Sequence, residues 1–211
     1  MTMLLEAEGL GMRYGGHVVF EGLHLSYGAG AVALVGRNGA GKSTLLALLA
    51  GIDAPQAGRV MVCGADLASA PTGQGARARL AWVPDASVAY DFMTGDEFLR
   101  MVQALRGCAS PQRALLEGFG IEGYLGARFG DMSLGTRKKF MLAAGLMGDA
   151  QVVLMDEPTN GIDADARAFL VAQIGMRARE HLVLFSTHDH EVIALTGARV
   201  LDLSAAGTTA A

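Results

Sequence analysis

Apolar residues along this chain fall into two kinds of run. Ala31-Val32-Ala33-Leu34-Val35, Leu80-Ala81-Trp82-Val83, Val152-Val153-Leu154-Met155 and Leu182-Val183-Leu184-Phe185 are short and unbroken, the pattern of strands buried on both faces in a parallel sheet. Other segments space their apolar residues by three and four. Phe98, Leu99, Met101, Val102 and Leu105 make one stripe of a helix. The two kinds of run are segregated, and their order predicts the architecture.

Residues 3–28 alternate Leu4-Leu5, Val18-Val19-Phe20 and Leu23 to Tyr27 with glycines, which predicts antiparallel strands. A strand over 31–35 runs into a buried helix over 45–50, then a turn-rich stretch from Gly51 to Gly58 and a strand from Arg59 to Cys63. From 87 to 148 the period becomes helical. Thr94-Gly95-Asp96-Glu97 has the form of a capping box, Ser110-Pro111 reads as an N-cap with proline at the first helical position, and Ser133 can cap a helix running to about Met147. Strands at 151–155, 182–185 and 199–203 then alternate with helices at 164–179 and 191–195. The expectation is an α/β fold: a mostly parallel sheet covered by helices, an N-terminal antiparallel β part, and an α-helical insertion. In this division 1–86 and 149–211 form the core, 87–148 forms the inserted helical unit, and the small-residue tail from Ser204 frays.

Bulk composition narrows the function classes. A net charge of -4, with no basic cluster beyond Arg137-Lys138-Lys139, argues against a nucleic-acid surface; Arg77-Ala78-Arg79 reads as a solvated face. The longest apolar run, Leu45 to Ala50, is far short of the ~18 residues that span a bilayer. No charged start followed by an apolar stretch and a cleavage site opens the chain, so the expected location is cytoplasmic. Cys63 and Cys108 lack metal or redox spacing and read as reduced thiols.

The strongest chemistry sits between the 31–35 strand and its helix, at Gly36-Arg37-Asn38-Gly39-Ala40-Gly41-Lys42-Ser43-Thr44. Glycines at this spacing let backbone N–H groups turn onto phosphate oxygens, Lys42 reaches the outer phosphates, and the Ser43 hydroxyl is left for Mg²⁺. Only three residues are lysine, at 42, 138 and 139, among 17 basic ones, which marks Lys42 as a chosen ammonium. Downstream, the apolar strand ending at Met155 delivers Asp156 and Glu157 together. Asp156 suits the metal and Glu157 a water-activating base. The competing reading, an acidic surface turn, ranks below this one. Read as an H-x-H metal pair, His188 and His190 lack the remaining ligands. His17, His24 and His181 are assigned no role.

These motifs, in this order, resemble the nucleotide-binding domain of an ATP-binding-cassette (ABC) transporter, over nearly the whole chain. The resemblance implies a P-loop NTPase fold, ATP and Mg²⁺ as ligands, and roles for further residues. Tyr14 stands at the family's adenine-stacking aromatic, although alone it reads as ordinary packing. Met132-Ser133-Leu134-Gly135-Thr136 stands at the signature motif, where Ser133 and Gly135 at a helix N-terminus would meet the γ-phosphate of ATP bound by a second subunit. Asn160-Gly161-Ile162-Asp163 resembles the loop crossing the dimer interface, and His188 the switch histidine. The catalytic set is thus Lys42, Glu157 and His188.

Two departures stand out. Asp85 follows the Trp82-Val83-Pro84 strand end where the family has a glutamine contacting Mg²⁺ and the membrane partner; as a carboxylate it joins Ser43 and Asp156 as a metal ligand. Leu134 and Thr136 replace a glycine and a glutamine of the signature, as in some export-type cassettes. The expected protein is an ATPase subunit that dimerises, as homo- or heterodimer, around two ATP·Mg²⁺ and drives export through separate integral membrane subunits, bound peripherally at the inner face of the membrane. The alternative is a non-transport cassette acting as a nucleotide-gated mechanical module, and a third is a cassette that binds ATP but barely hydrolyses it.

Overall fold

The computed structural model describes residues 2–86, 88–108 and 113–203; the Ser110-Pro111 helix start and the tail from Ser204 lie outside them. The chain opens with β1 (Leu5–Tyr14) and β2 (His17–Tyr27), then β3 (Gly30–Val35), α1 (Lys42–Leu49), β4 (Ala57–Val62) and β5 (Ala65–Asp66). Next come α2 (Gly73–Ala78), β6 (Leu80–Val83), α3 (Gly95–Arg106), α4 (Arg113–Phe119) and α5 (Leu134–Leu146). The remainder is β7 (Val152–Met155), α6 (Ala164–Arg177), β8 (Leu182–Ser186), α7 (His190–Thr196) and β9 (Arg199–Asp202).

Two sheets result. An antiparallel one has the order β2-β1-β4-β5 and a parallel one the order β6-β7-β8-β3-β9. All four pairings of the second sheet are parallel, so it is more uniform than the mostly parallel sheet expected. Its unbroken apolar strands serve two cores by period two. Val32, Leu34, Val152, Leu154, Leu182 and Leu184 pack with α1 and the antiparallel sheet. Ala31, Ala33, Val153, Met155, Val183 and Phe185 pack with the helices. Both faces being covered is why these strands show no polar alternation.

The predicted helix starts at Thr94 and Ser133 hold. Thr94 Oγ1 accepts from the Glu97 N–H at 3.2 Å while Glu97 Oε2 accepts from the Thr94 N–H at 2.8 Å, and Ser133 Oγ accepts from the Thr136 N–H at 3.1 Å. Phe98, Phe129 and Phe140 meet in the helical core at 5.1 and 5.6 Å between centroids. α5 lies close over β6: a Cβ on Gly145 would come within 2.1 Å of Val83 Cγ2. That contact sets α5, with Ser133 at its start, against the strand that leads to Asp85.

Sequence periodicity missed β5 and α2, both too short to carry a period. It also read residues 3–28 as separate short strands, where the structure has one long hairpin bent by register shifts. Arg77 and Arg79 are exposed at the end of α2, as expected.

Candidate functional site: a phosphate cradle at the carboxyl edge of the parallel sheet

β3 ends at Val35 and the chain turns through 36–41 into α1. Gly41 caps that helix in the left-handed region, at φ 91°, and a Cβ there would come within 2.6 Å of Val19 Cγ1. Only glycine meets both demands. The turn sets the first residues of α1 against a cavity of about 470 Å³, lined by Tyr14, His17, Asn38, Gly39, Lys42 to Thr44, Asp85, Asp156 and Glu157. Hydropathy put these residues on separate elements; the ends of β3, β6 and β7 in the parallel sheet and the β1–β2 turn of the antiparallel sheet bring them together. Gly36 and Ala40 act from behind the loop, Gly36 through its carbonyl and Ala40 by packing against the core.

Lys42 is buried. Its Nζ donates to the Gly36 carbonyl at 3.0 Å and lies 3.0 Å from His188 Nε2. With its contacts at a carbonyl and an imidazole nitrogen, this ammonium lines the cavity, an arrangement suited to phosphate. His188 Nε2 also lies 3.4 Å from Glu157 Oε1. As a neutral ring that nitrogen accepts from Lys42; as an imidazolium it donates to Glu157.

Asp156 and Glu157 follow β7 directly and both line the cavity. Asp156 Oδ1 accepts from Ser186 Oγ at 2.6 Å, and the same oxygen of Ser186 accepts from the Glu157 N–H at 2.7 Å. Glu157 sits at φ 42°, a left-handed conformation that costs a non-glycine residue about 1–3 kcal/mol. Burial raises its carboxyl above the ordinary 4.5, against the opposing pull of His188 and then Lys42. Glu157 also lines a second hollow with Asn160, Arg167 and His188, placing it where the two spaces join.

Asp85 is held from the other side: Lys138 Nζ lies 3.2 Å from its Oδ1. Ser43, Asp85 and Asp156 thus offer hard oxygens to one cavity. Among the described residues no group of three or more His, Cys, Asp or Glu side chains makes a metal site by itself.

Four predicted residues stand apart from the cavity or at its rim. Tyr14 is at the rim, 52% exposed. Ser133 and Gly135 open α5 beside the Asn160-Gly161 turn, where a Cβ on Gly135 would lie 2.5 Å from the Gly161 carbonyl. Asp163 N-caps α6 and pairs with Lys139, so its carboxylate is spoken for within the chain. Sequence reasoning missed His17, Ser186 and Lys138. His17 was findable: the two-glycine turn at 15–16 pairs it with Tyr14 across the hairpin. Ser186 and Lys138 act only through contacts distant in sequence.

Fold and site together define a P-loop nucleotide-binding domain. Comparison with known proteins makes this specific: residues 20–160 match the ABC transporter family, and the chain belongs to that family. It is 34% identical to the Nod factor export ATP-binding protein I of Burkholderia orbicola (strain AU 1054), over 83% of this chain and 60% of that protein. It is 30% identical to the pyoverdine export ATP-binding/permease protein of Pseudomonas fluorescens (strain Pf0-1), over 96% of this chain and 33% of that one. The chain therefore spans less than two thirds of the length of these relatives. Among solved structures, an ATP-binding subunit of an ABC transporter superposes with a TM-score of 0.83 at 28% identity, covering 90% of this chain and 81% of the other. An ATP-binding cassette dimer in a post-hydrolysis state with ADP and phosphate shares the fold, with a TM-score of 0.80 at 17% identity over 94% of each chain.

Proposed function

We propose that this chain binds and hydrolyses ATP with Mg²⁺ as the ATP-binding part of an export-type ABC transporter. The observation that carries the reading is the convergence of Lys42, Asp156 and Glu157 with the Gly39–Thr44 cradle on one cavity. Backbone N–H groups at the start of α1 and the Lys42 ammonium hold the phosphates, while Tyr14 stacks on the base. Mg²⁺, when bound, offsets phosphate charge; Ser43, Asp156 and Asp85 are the residues that would hold it. Glu157, its proton affinity raised by burial, takes the proton from the attacking water, and His188 orients that water at the junction of the two hollows.

Catalysis needs a second nucleotide-binding subunit, identical or not. Ser133 and Gly135 are not among the residues lining this chain's own cavity and lie beside the Gly161 turn, which supports the reading that they serve the nucleotide of a partner. The segment 87–148 acts as the helical signature unit that closes on that partner's nucleotide. Val88, Tyr90 and Phe92 are exposed just beyond Asp85, and the Tyr90 and Phe92 rings stack at 5.4 Å. This apolar face supports docking on separate membrane-spanning subunits, and with it a peripheral position at the inner face of the membrane. No helix among the described residues is long and apolar enough to cross a membrane. The export names of the relatives favour transport over a non-transport mechanical module, and no nucleic acid is expected as partner.

Glu157→Gln tests the reading. The variant is expected to keep ATP affinity, lose turnover and accumulate as an ATP-bound dimer by size-exclusion chromatography; phosphate release at the unsubstituted rate would overturn the role of Glu157.

A further inference from the structure

Lys138 is as deeply placed as Lys42 but is not part of the cradle. It lies inside α5, and its side chain is 6% exposed. The ammonium donates to the carbonyls of Pro84 at 3.2 Å, Asp85 at 3.0 Å and Asp156 at 3.2 Å, and to Asp85 Oδ1 at 3.2 Å. These oxygens close the ends of β6 and β7, the two strands that deliver Asp85 and Asp156 to the cavity. A buried ammonium is tolerated only when partners replace its hydration. A compact group with rotatable donors suits converging carbonyls in a way a planar guanidinium does not.

The charge arithmetic gives the contact its meaning. Asp85 adds a negative charge to the wall of a cavity built for phosphate, and Lys138 removes it at the same point. We propose that Lys138 is a positioning residue of the nucleotide cavity: it supplies the counter-charge that lets Asp85 face a triphosphate and orients that carboxylate through Oδ1. The ion pair does the work of a neutral amide at this position while binding the helix that Ser133 opens to the strand ends beneath the cavity.

The inference rests on the reading of the cavity as an ATP·Mg²⁺ site, and a charge cycle separates the two. The probe is a fluorescent ATP analogue, titrated into the full chain with EDTA and again with Mg²⁺, with the melting temperature recorded for each variant. In EDTA, Lys138→Met leaves the wall one unit more negative and lowers affinity about three- to tenfold. Asp85→Asn leaves it one unit more positive and raises affinity by a similar factor. The double variant returns to within about twofold of the wild type. A merely structural lysine would lower the melting temperature in both Lys138→Met backgrounds without this reversal of sign. Single variants that shift affinity in the same direction, or not at all, overturn the inference. Should Lys138→Met fail to fold, Asp85→Asn reads the same effect: raised affinity supports the pair, and unchanged or lowered affinity in EDTA overturns it. Absence of nucleotide binding by the wild type would instead overturn the proposed function itself.

Discussion

Replacing Ser186 by alanine removes one oxygen that serves two site residues at once. Ser186 is fully buried, so water cannot take over either bond. The bond to Asp156 Oδ1, 2.6 Å long, is charge-assisted and contributes about 2 kcal/mol; the bond from the Glu157 N–H, 2.7 Å long, contributes about 1 kcal/mol. The expected loss is therefore about 3 kcal/mol, or roughly 6–12 °C in melting temperature for a domain of this size. Turnover falls further than stability alone requires. The Glu157 N–H bond restrains a residue at φ 42°, and its release lets the carboxylate drift; a displacement near 1 Å at a reacting group costs about 100-fold. Ser186→Thr keeps the hydroxyl, adds a methyl in a closed space, and restores most of the turnover. The assays are differential scanning calorimetry and phosphate release in the assembled complex. Turnover of Ser186→Ala within threefold of the wild type would refute the positioning argument, and an unchanged melting temperature would refute the energetic one.

Gly41→Ala forces a Cβ into Val19 at a left-handed φ, so about 1–3 kcal/mol of stability is lost, together with nucleotide affinity; urea denaturation and analogue titration measure both, and an alanine variant as stable as the wild type would contradict the geometry. Asp189 caps α7 by accepting from the Glu191 and Val192 N–H groups and pairs with Arg167 at 2.6 Å. Its carboxyl lies below the ordinary 3.8, although burial alone, the largest single influence, would raise it: the N–H bonds and Arg167 together win. A lowered carboxyl gives stability that is present above the unfolded value and is lost as pH falls through the folded one. Asp189→Ala is accordingly expected to cost about 1 kcal/mol near pH 7, with the gap to the wild type closing below pH 3.8; a gap that persists at low pH in urea titrations would show that charge plays no part.

What the chain order alone determined about this protein is local. Gly36 to Thr44 was readable because a phosphate cradle is made of consecutive backbone N–H groups, and Ser133 and Thr94 because a cap reaches only three residues ahead. The strands at 31–35, 152–155 and 182–185 were readable because burial on two faces leaves unbroken apolar runs. The convergence of Tyr14, Asp85 and Asp156 on one cavity was legible only through resemblance to a family. The tertiary structure alone decided which groups control those residues. Ser186 is 30 residues from Asp156, and Lys138 is 53 from Asp85. Hydropathy registers Ser186 as the end of an apolar strand and Lys138 as part of a basic run. Their roles arise because parallel pairing sets β7 beside both β6 and β8, and because the closeness of α5 to β6 at Gly145 brings an ammonium to the strand ends. Such contacts leave no local period, since hydrogen-bond geometry between distant segments exists only once the sheet has formed.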